Sequence, residues 1–155
     1  MADVYYDDIN VGDRYSSSVG RTITDMDNIW FTLLTNNNNQ IHFNADYTKK
    51  YYPGEPFNGR LVVNGMLTIA VVVGLVVEYT SKNGFMLGID GVKYMHPVFA
   101  GDTLYASAEV IEKRESRSKK GFGIIKIKTT GYNQNSEEVI EFTRTFMIPK
   151  KESKW

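Results

Sequence analysis

The chain of 155 residues contains no cysteine. Disulfide bonds, thiolate nucleophiles and thiolate metal sites are therefore excluded. Only two histidines are present, His42 and His96, and they are the only side chains that ordinarily titrate near neutral pH. The 18 basic and 18 acidic residues cancel, so no overall positive field attracts nucleic acid or an anionic membrane. We expect neither as a partner.

Length and composition are those of one globular domain, with 42% hydrophobic and 13% aromatic residues. The acidic segment 1–13 lacks the basic and apolar regions of a signal peptide, which predicts a cytoplasmic protein. We predict a single domain over residues 1–150. The charged tail 151–155 is expected to be frayed.

The longest apolar stretch, residues 61–79, permits three interpretations. As a helix it is apolar on every side and must be buried on every side. As two strands it would turn at Asn64-Gly65, a strong hairpin signal, and its valines favour strands. A membrane span would need ~20 mainly apolar residues. Because strands usually stop after about 5–8 residues, the length favours a central buried helix.

The flanking segments predict an α+β fold. Thr24 is a candidate N-cap for a helix that ends in the asparagine run 36–39. Before that helix, residues 14–23 resemble one strand, and residues 41–56 resemble a short helix followed by an irregular segment. Alternating apolar residues then predict four strands, which are 85–94, 103–115, 122–132 and 139–148. Strands that follow helices in this order are typical of an antiparallel α+β domain.

Three segments resemble the MaoC-like hydratase family. Residues 31–44, ending in Gln40-Ile41-His42-Phe43-Asn44, follow the family's hydratase signature, and residues 57–67 and 98–104 follow two further family motifs. The resemblance implies a hot-dog fold, in which a long antiparallel sheet wraps a central helix, and so it favours the helix for residues 61–79. It also implies a homodimer or higher homo-oligomer, an acyl-CoA thioester substrate, and no cofactor or metal.

The resemblance assigns roles by position. His42 matches the family histidine, Asn37 the catalytic aspartate and Asn39 a signature asparagine, while the Gly65 N–H matches a donor for the thioester oxygen. In the family, the aspartate and histidine together add water to a 2-enoyl-CoA. An asparagine cannot take a proton, so His42 is expected to be the principal acid and base, with Asp46 as a candidate second acid. Asn37 and Asn39 are expected to position water and substrate.

Other candidate residues keep two interpretations each. Asn64 either caps the central helix or faces the pocket. Arg60 pairs either with a substrate carboxylate or with Glu55. Tyr52 belongs to an aromatic group that is either a lid over the acyl pocket or ordinary packing. His96 is expected to be structural, and residues 113–120 form either a solvated hairpin tip or a patch for CoA phosphates.

The resemblance therefore implies an enoyl-CoA hydratase or dehydratase. Short stretches are similar to MaoC-like proteins that hydrate itaconyl-CoA or mesaconyl-CoA, which are small dicarboxylic thioesters. Two alternatives stay open, namely an acyl-CoA thioesterase and a non-catalytic subunit that binds acyl-CoA or an acyl carrier. Hydration consumes the conjugated thioester without releasing a free thiol, hydrolysis releases a thiol, and a binding subunit does neither.

Overall fold

The computed structural model describes residues 3–155. The first two residues of the predicted domain 1–150 and of the acidic segment 1–13 lie outside this range. The helices are α1 (Asp25–Leu34), α2 (Ala45–Tyr51) and α3 (Gly65–Thr80), with 3-10 turns at Tyr6–Asp8 and Gln40–His42. The strands are β1 (Arg14–Ser16), β2 (Arg21–Thr22), β3 (Phe85–Tyr94), β4 (Thr103–Glu115), β5 (Phe122–Tyr132) and β6 (Glu138–Pro149).

The strands form one antiparallel sheet in the order β1-β4-β5-β6-β3, with β2 also paired to β4. Helix α3 packs on this sheet, where its Val72 and Val76 join Ile125, Ile127 and Phe142 in the core. The predicted α+β class and the four long strands are confirmed; only β6 differs, by one residue at each end. The core lies between α3 and the sheet, as a hot-dog fold requires.

The apolar stretch 61–79 is divided between two structures. Residues 61–63 are not helical, and Val62 forms a β-bridge with Phe99. The helix begins only at Gly65 because the Asn64 side chain caps it. The expectation of burial on every side is wrong for this chain, since Met66, Ala70 and Gly74 lie exposed along one face of α3. Within residues 3–155, no helix is long and apolar enough to cross a membrane.

The predicted strand 14–23 is instead two short strands, β1 and β2. The chain between them passes very close to β4, because a Cβ on Gly20 would lie 2.7 Å from the Tyr105 ring. The predicted cap is confirmed, since Thr24 Oγ1 accepts from the Asp27 N–H at 3.1 Å. The helix it starts ends at Leu34, just before Asn36 takes a left-handed conformation with φ of 55°.

The C-terminal tail packs against the domain. Lys151 Nζ lies 2.5 Å from an Asp8 carboxylate oxygen. Trp155 Nε1 donates to the Asn83 carbonyl at 2.8 Å, and its indole ring contacts the Phe85 and Phe122 rings. The tail 151–155 is therefore docked in this structure, where the sequence predicts fraying.

Candidate active site

His42 is held in a defined orientation at the end of the Gln40–His42 turn. The side chain is 8% exposed, and its Nδ1 lies 2.9 Å from the Val62 carbonyl oxygen. Because a carbonyl can only accept, Nδ1 carries the proton and donates it. This fixes the tautomer and leaves Nε2 as the basic nitrogen, free to meet a substrate or a water molecule.

Asn28 joins the three segments that surround this histidine. Its Nδ2 donates to the carbonyl oxygens of His42 and Val62 at 2.9 and 3.1 Å, and its Oδ1 accepts from the Asn64 N–H at 2.9 Å. The side chain is completely buried. Asn28 is not among the residues that the sequence predicts for the site. The sequence feature that could have indicated it is the pair of polar residues Asn28 and Thr32, which are one helical turn apart and form the buried face of α1.

The start of α3 lies next to the histidine turn. Asn64 is 3% exposed; its Oδ1 accepts from the Met66 N–H at 3.0 Å, and its Nδ2 donates to Thr32 Oγ1 at 3.2 Å. Of its two interpretations, capping is the one the structure supports. The Gly65 N–H makes no hydrogen bond within residues 3–155. It is therefore a free donor at the positive end of the helix dipole.

A cavity of about 370 Å³ lies between the histidine turn and the start of α3. Its walls are mainly apolar, and its polar members are His42, Gly65, Thr68, Tyr94 and His96. An apolar pocket with a few convergent polar groups is the usual form of a small-molecule site. The cavity thus brings together His42 and Gly65, two of the residues the sequence predicts for the site.

Tyr94 and His96 also face this cavity, although neither was predicted to be functional. His96 Nδ1 lies 2.8 Å from the Glu138 carbonyl oxygen, so it donates there and leaves its Nε2 free. Burial raises the pKa of the Tyr94 phenol, which keeps the hydroxyl protonated as a hydrogen-bond donor. Both residues lie where β3 leads into β4, a region that the sequence identifies only as a strand end and a turn.

The signature asparagines do not line the cavity. Asn37 Oδ1 accepts from the Asn39 N–H at 2.9 Å, and Asn39 Oδ1 accepts from the Ile41 N–H at 3.4 Å. Both side chains therefore shape the loop that leads to His42. Asp46 is exposed in the first turn of α2 and is likewise not part of the cavity wall.

The other predicted residues lie behind or beside the cavity. Arg60 is exposed, its guanidinium carbon is 4.0 Å from the centre of the Phe99 ring, and it forms no ion pair with Glu55 among the described residues. Tyr52 packs edge-on against Phe57, which does line the cavity. The basic tip 113–120 lies at the opposite end of β4 from the cavity-lining segment that precedes this strand. Of the two interpretations of this segment, a single chain therefore supports the hairpin tip and not a CoA phosphate patch beside the cavity.

A model of the mesaconyl-CoA hydratase family matches residues 2–154 of the chain. A mesaconyl-CoA hydratase of Haloarcula marismortui is 30% identical over 143 residues, which cover 91% of this chain and 38% of that protein. The chain spans less than half the length of the mesaconyl-CoA hydratases and the dehydratase that it matches.

Two solved structures have closely similar folds. An Archaeoglobus protein described as a monoamine oxidase regulatory protein is 28% identical, with a TM-score of 0.80, and the match covers 96% of this chain and 95% of that one. A Mycobacterium tuberculosis protein described as having a double hotdog fold is 20% identical, with a TM-score of 0.83, over 98% of this chain and 46% of that one. This chain has a MaoC-like hot-dog fold and belongs to the mesaconyl-CoA hydratase family.

Proposed function

We propose that this chain catalyses the reversible addition of water to the 2,3 double bond of an acyl-CoA thioester. The observation that carries the proposal is the shared cavity of His42 and Gly65, in which a fixed histidine with a free Nε2 meets an unpaired helix-terminal N–H. Family membership supports the same reaction class.

In this mechanism His42 serves as both base and acid. Its Nε2 takes a proton from water as the water oxygen bonds to C3 of the substrate. The electrons of the double bond move towards the thioester oxygen, where the Gly65 N–H stabilises the developing charge. The histidinium then returns a proton to C2, which completes the addition of one water molecule. Asn37 takes no part in proton transfer; with Asn39 it positions the loop that carries His42.

We propose a small dicarboxylic substrate such as mesaconyl-CoA. The support is the family match together with the position of Arg60 beside the cavity, where its backbone N–H donates to the carbonyl of the cavity-lining Phe57 at 2.9 Å. An exposed guanidinium stacked on Phe99 keeps its N–H edges free for a carboxylate. In this arrangement Tyr52 supports Phe57 from behind.

We also propose that two copies pair through β3. The outer edge of this ten-residue strand is unpaired within residues 3–155, and it exposes Phe85, Met86, Leu87 and Val92. A long exposed apolar edge is a ready site for strand pairing. Because Tyr94 belongs both to β3 and to the cavity wall, a second copy on this edge would border the active site. The cytoplasmic location stays a prediction from the sequence.

An assay with mesaconyl-CoA and crotonyl-CoA tests the reaction class. Loss of the conjugated-thioester absorbance without release of free thiol supports hydration. Thiol release would instead identify a thioesterase. No reaction, together with an increase in melting temperature when an acyl-CoA is added, would identify a binding subunit.

A further inference from the structure

Tyr94 lies directly against the glycine at the start of α3. A Cβ built on Gly65 would lie 2.8 Å from both Cζ and Oη of Tyr94. No side chain larger than hydrogen therefore fits at residue 65 unless the phenol moves. The contact explains why a glycine occupies the first position of a helix whose other residues are mainly β-branched or large.

The same contact fixes the distance between two hydrogen-bond donors. In standard backbone geometry the Cβ position is about 2.5 Å from the nitrogen of the same residue, so Tyr94 Oη lies at most about 5.3 Å from the Gly65 nitrogen. One oxygen atom can accept from two donors at this separation, because each bond to a developing oxyanion needs only about 2.7–3.1 Å.

We propose that the Tyr94 hydroxyl is a second donor to the thioester oxygen of the substrate, next to the Gly65 N–H. This inference rests on the proposed function and deepens it. The thioester oxygen gains negative charge as water adds to C3, and two donors stabilise that charge more than one. Tyr94 is then a catalytic residue that moves no proton.

The other hydroxyl of the cavity is less suited to this role. Thr68 Oγ1 already donates to the Asn64 carbonyl, although the bond is long at 3.5 Å. Tyr94 Oη, in contrast, makes no hydrogen bond to any residue in the described range 3–155 and is half-exposed at the cavity. A bound carbonyl oxygen could accept hydrogen bonds from both the Tyr94 hydroxyl and the Gly65 N–H.

The replacement Tyr94→Phe tests the role because it removes only the hydroxyl and keeps the ring against Gly65. We expect kcat to fall about 10- to 100-fold, with a higher KM for the thioester and an unchanged melting temperature. Tyr105→Phe is the matched control, since Tyr105 is an exposed tyrosine outside this cavity. If Tyr94→Phe keeps kcat within about twofold of the wild type, the inference is overturned.

A binding measurement separates this inference from the proposed reaction. Crotonyl-CoA is compared with S-butyl-CoA, a thioether that lacks the carbonyl oxygen, by calorimetry on the wild type and Tyr94→Phe. We expect the variant to lose affinity only for the thioester. This result would support Tyr94 as a carbonyl donor even if the wild type hydrates nothing, in which case the proposed reaction alone fails. Equal affinities of the two proteins for the thioester would contradict the inference even if hydration is observed.

Discussion

The Asn28 side chain accepts a hydrogen bond from the backbone N–H of Asn64 at 2.9 Å, and so ties α1 to the residue that caps α3. The amide of the same side chain donates to the two carbonyls that flank the histidine site, those of His42 and Val62. One buried residue thus fixes the His42 turn and the start of α3 relative to each other.

This arrangement predicts a strong effect of Asn28→Ala. The change leaves the His42 carbonyl and the Asn64 N–H without a partner, while the Val62 carbonyl keeps its bond from His42 Nδ1. Each unsatisfied group costs roughly 1–3 kcal/mol. We expect the free energy of unfolding to fall by about 2–4 kcal/mol in urea titrations, with a loss of activity. Asn28→Asp should also destabilise the fold, because a carboxylate cannot donate to the two carbonyls. A loss below about 0.5 kcal/mol in both variants would show that Asn28 does not hold the site together.

Asn37→Asp introduces the carboxylate that the hydratase signature has at this position. The new side chain can still accept from the Asn39 N–H, as the asparagine does. Since the residue shapes the loop and does not line the cavity, we expect the hydration rate to change by less than about threefold, equivalent to roughly 0.7 kcal/mol. An increase of tenfold or more, which is about 1.4 kcal/mol, would place residue 37 at the reacting atoms and refute this assignment.

Arg144 is a buried cation, 2% exposed, that donates to Thr80 Oγ1 and Ser81 Oγ, while its Nε has no partner among the described residues. Burial lowers the pKa of its guanidinium to about 10. The charged guanidinium is therefore less favourable in the folded state than in the unfolded state. The resulting penalty, on the order of 3 kcal/mol, is fully present below pH 10 and is relieved as the pH rises above it.

The replacement Arg144→Met removes this penalty and keeps most of the side-chain volume. We expect the variant to be at least as stable as the wild type in denaturant titrations at pH 7. We also expect the stability difference to shrink above pH 10, as the wild-type guanidinium loses its proton. Arg14→Met, which removes an exposed cation paired with Glu109, should change stability by less than about 1 kcal/mol. A loss of more than about 2 kcal/mol in Arg144→Met would mean that the charge itself stabilises the fold.

Leu87→Lys tests the proposed pairing through β3. Leu87 is 49% exposed on that strand, and a charge on an edge strand opposes pairing with a second chain. Light scattering during size-exclusion chromatography should show a dimer for the wild type and a monomer for the variant. Leu34→Lys, at an exposed leucine of α1, is the control and should remain dimeric. If only Leu34→Lys dissociates the dimer, the interface lies on α1 instead.

Sequence patterns predicted those helices and strands that are determined by residues close together in the chain. Alternation in 122–132 predicted β5, in which Ile125 and Ile127 are buried, and Thr24 predicted the start of α1. The start of α3 at Gly65 agrees with the capping role that was one of two interpretations of Asn64, whose side chain reaches both Met66 and Thr32. The split of strand 14–23 was missed because it depends on the approach of Gly20 to Tyr105, far away in the sequence.

The site was predicted only where a family motif marks it. The resemblance indicated His42 and Gly65, and both residues line one cavity. It could not indicate Asn28, Tyr94 or His96, because each acts through contacts with residues distant in the chain. The sequence also could not separate the two roles of Asn64, since a capping asparagine and a pocket-facing asparagine have the same local pattern.

The most direct test of the account is the rate of hydration by His42→Ala, with and without added imidazole. We expect the variant to fold, to lose at least about 100-fold in kcat, and to regain part of that rate when imidazole enters the space left by the side chain. A rate within about threefold of the wild type, or roughly 0.7 kcal/mol, would contradict the claim that His42 is the acid and base of this site.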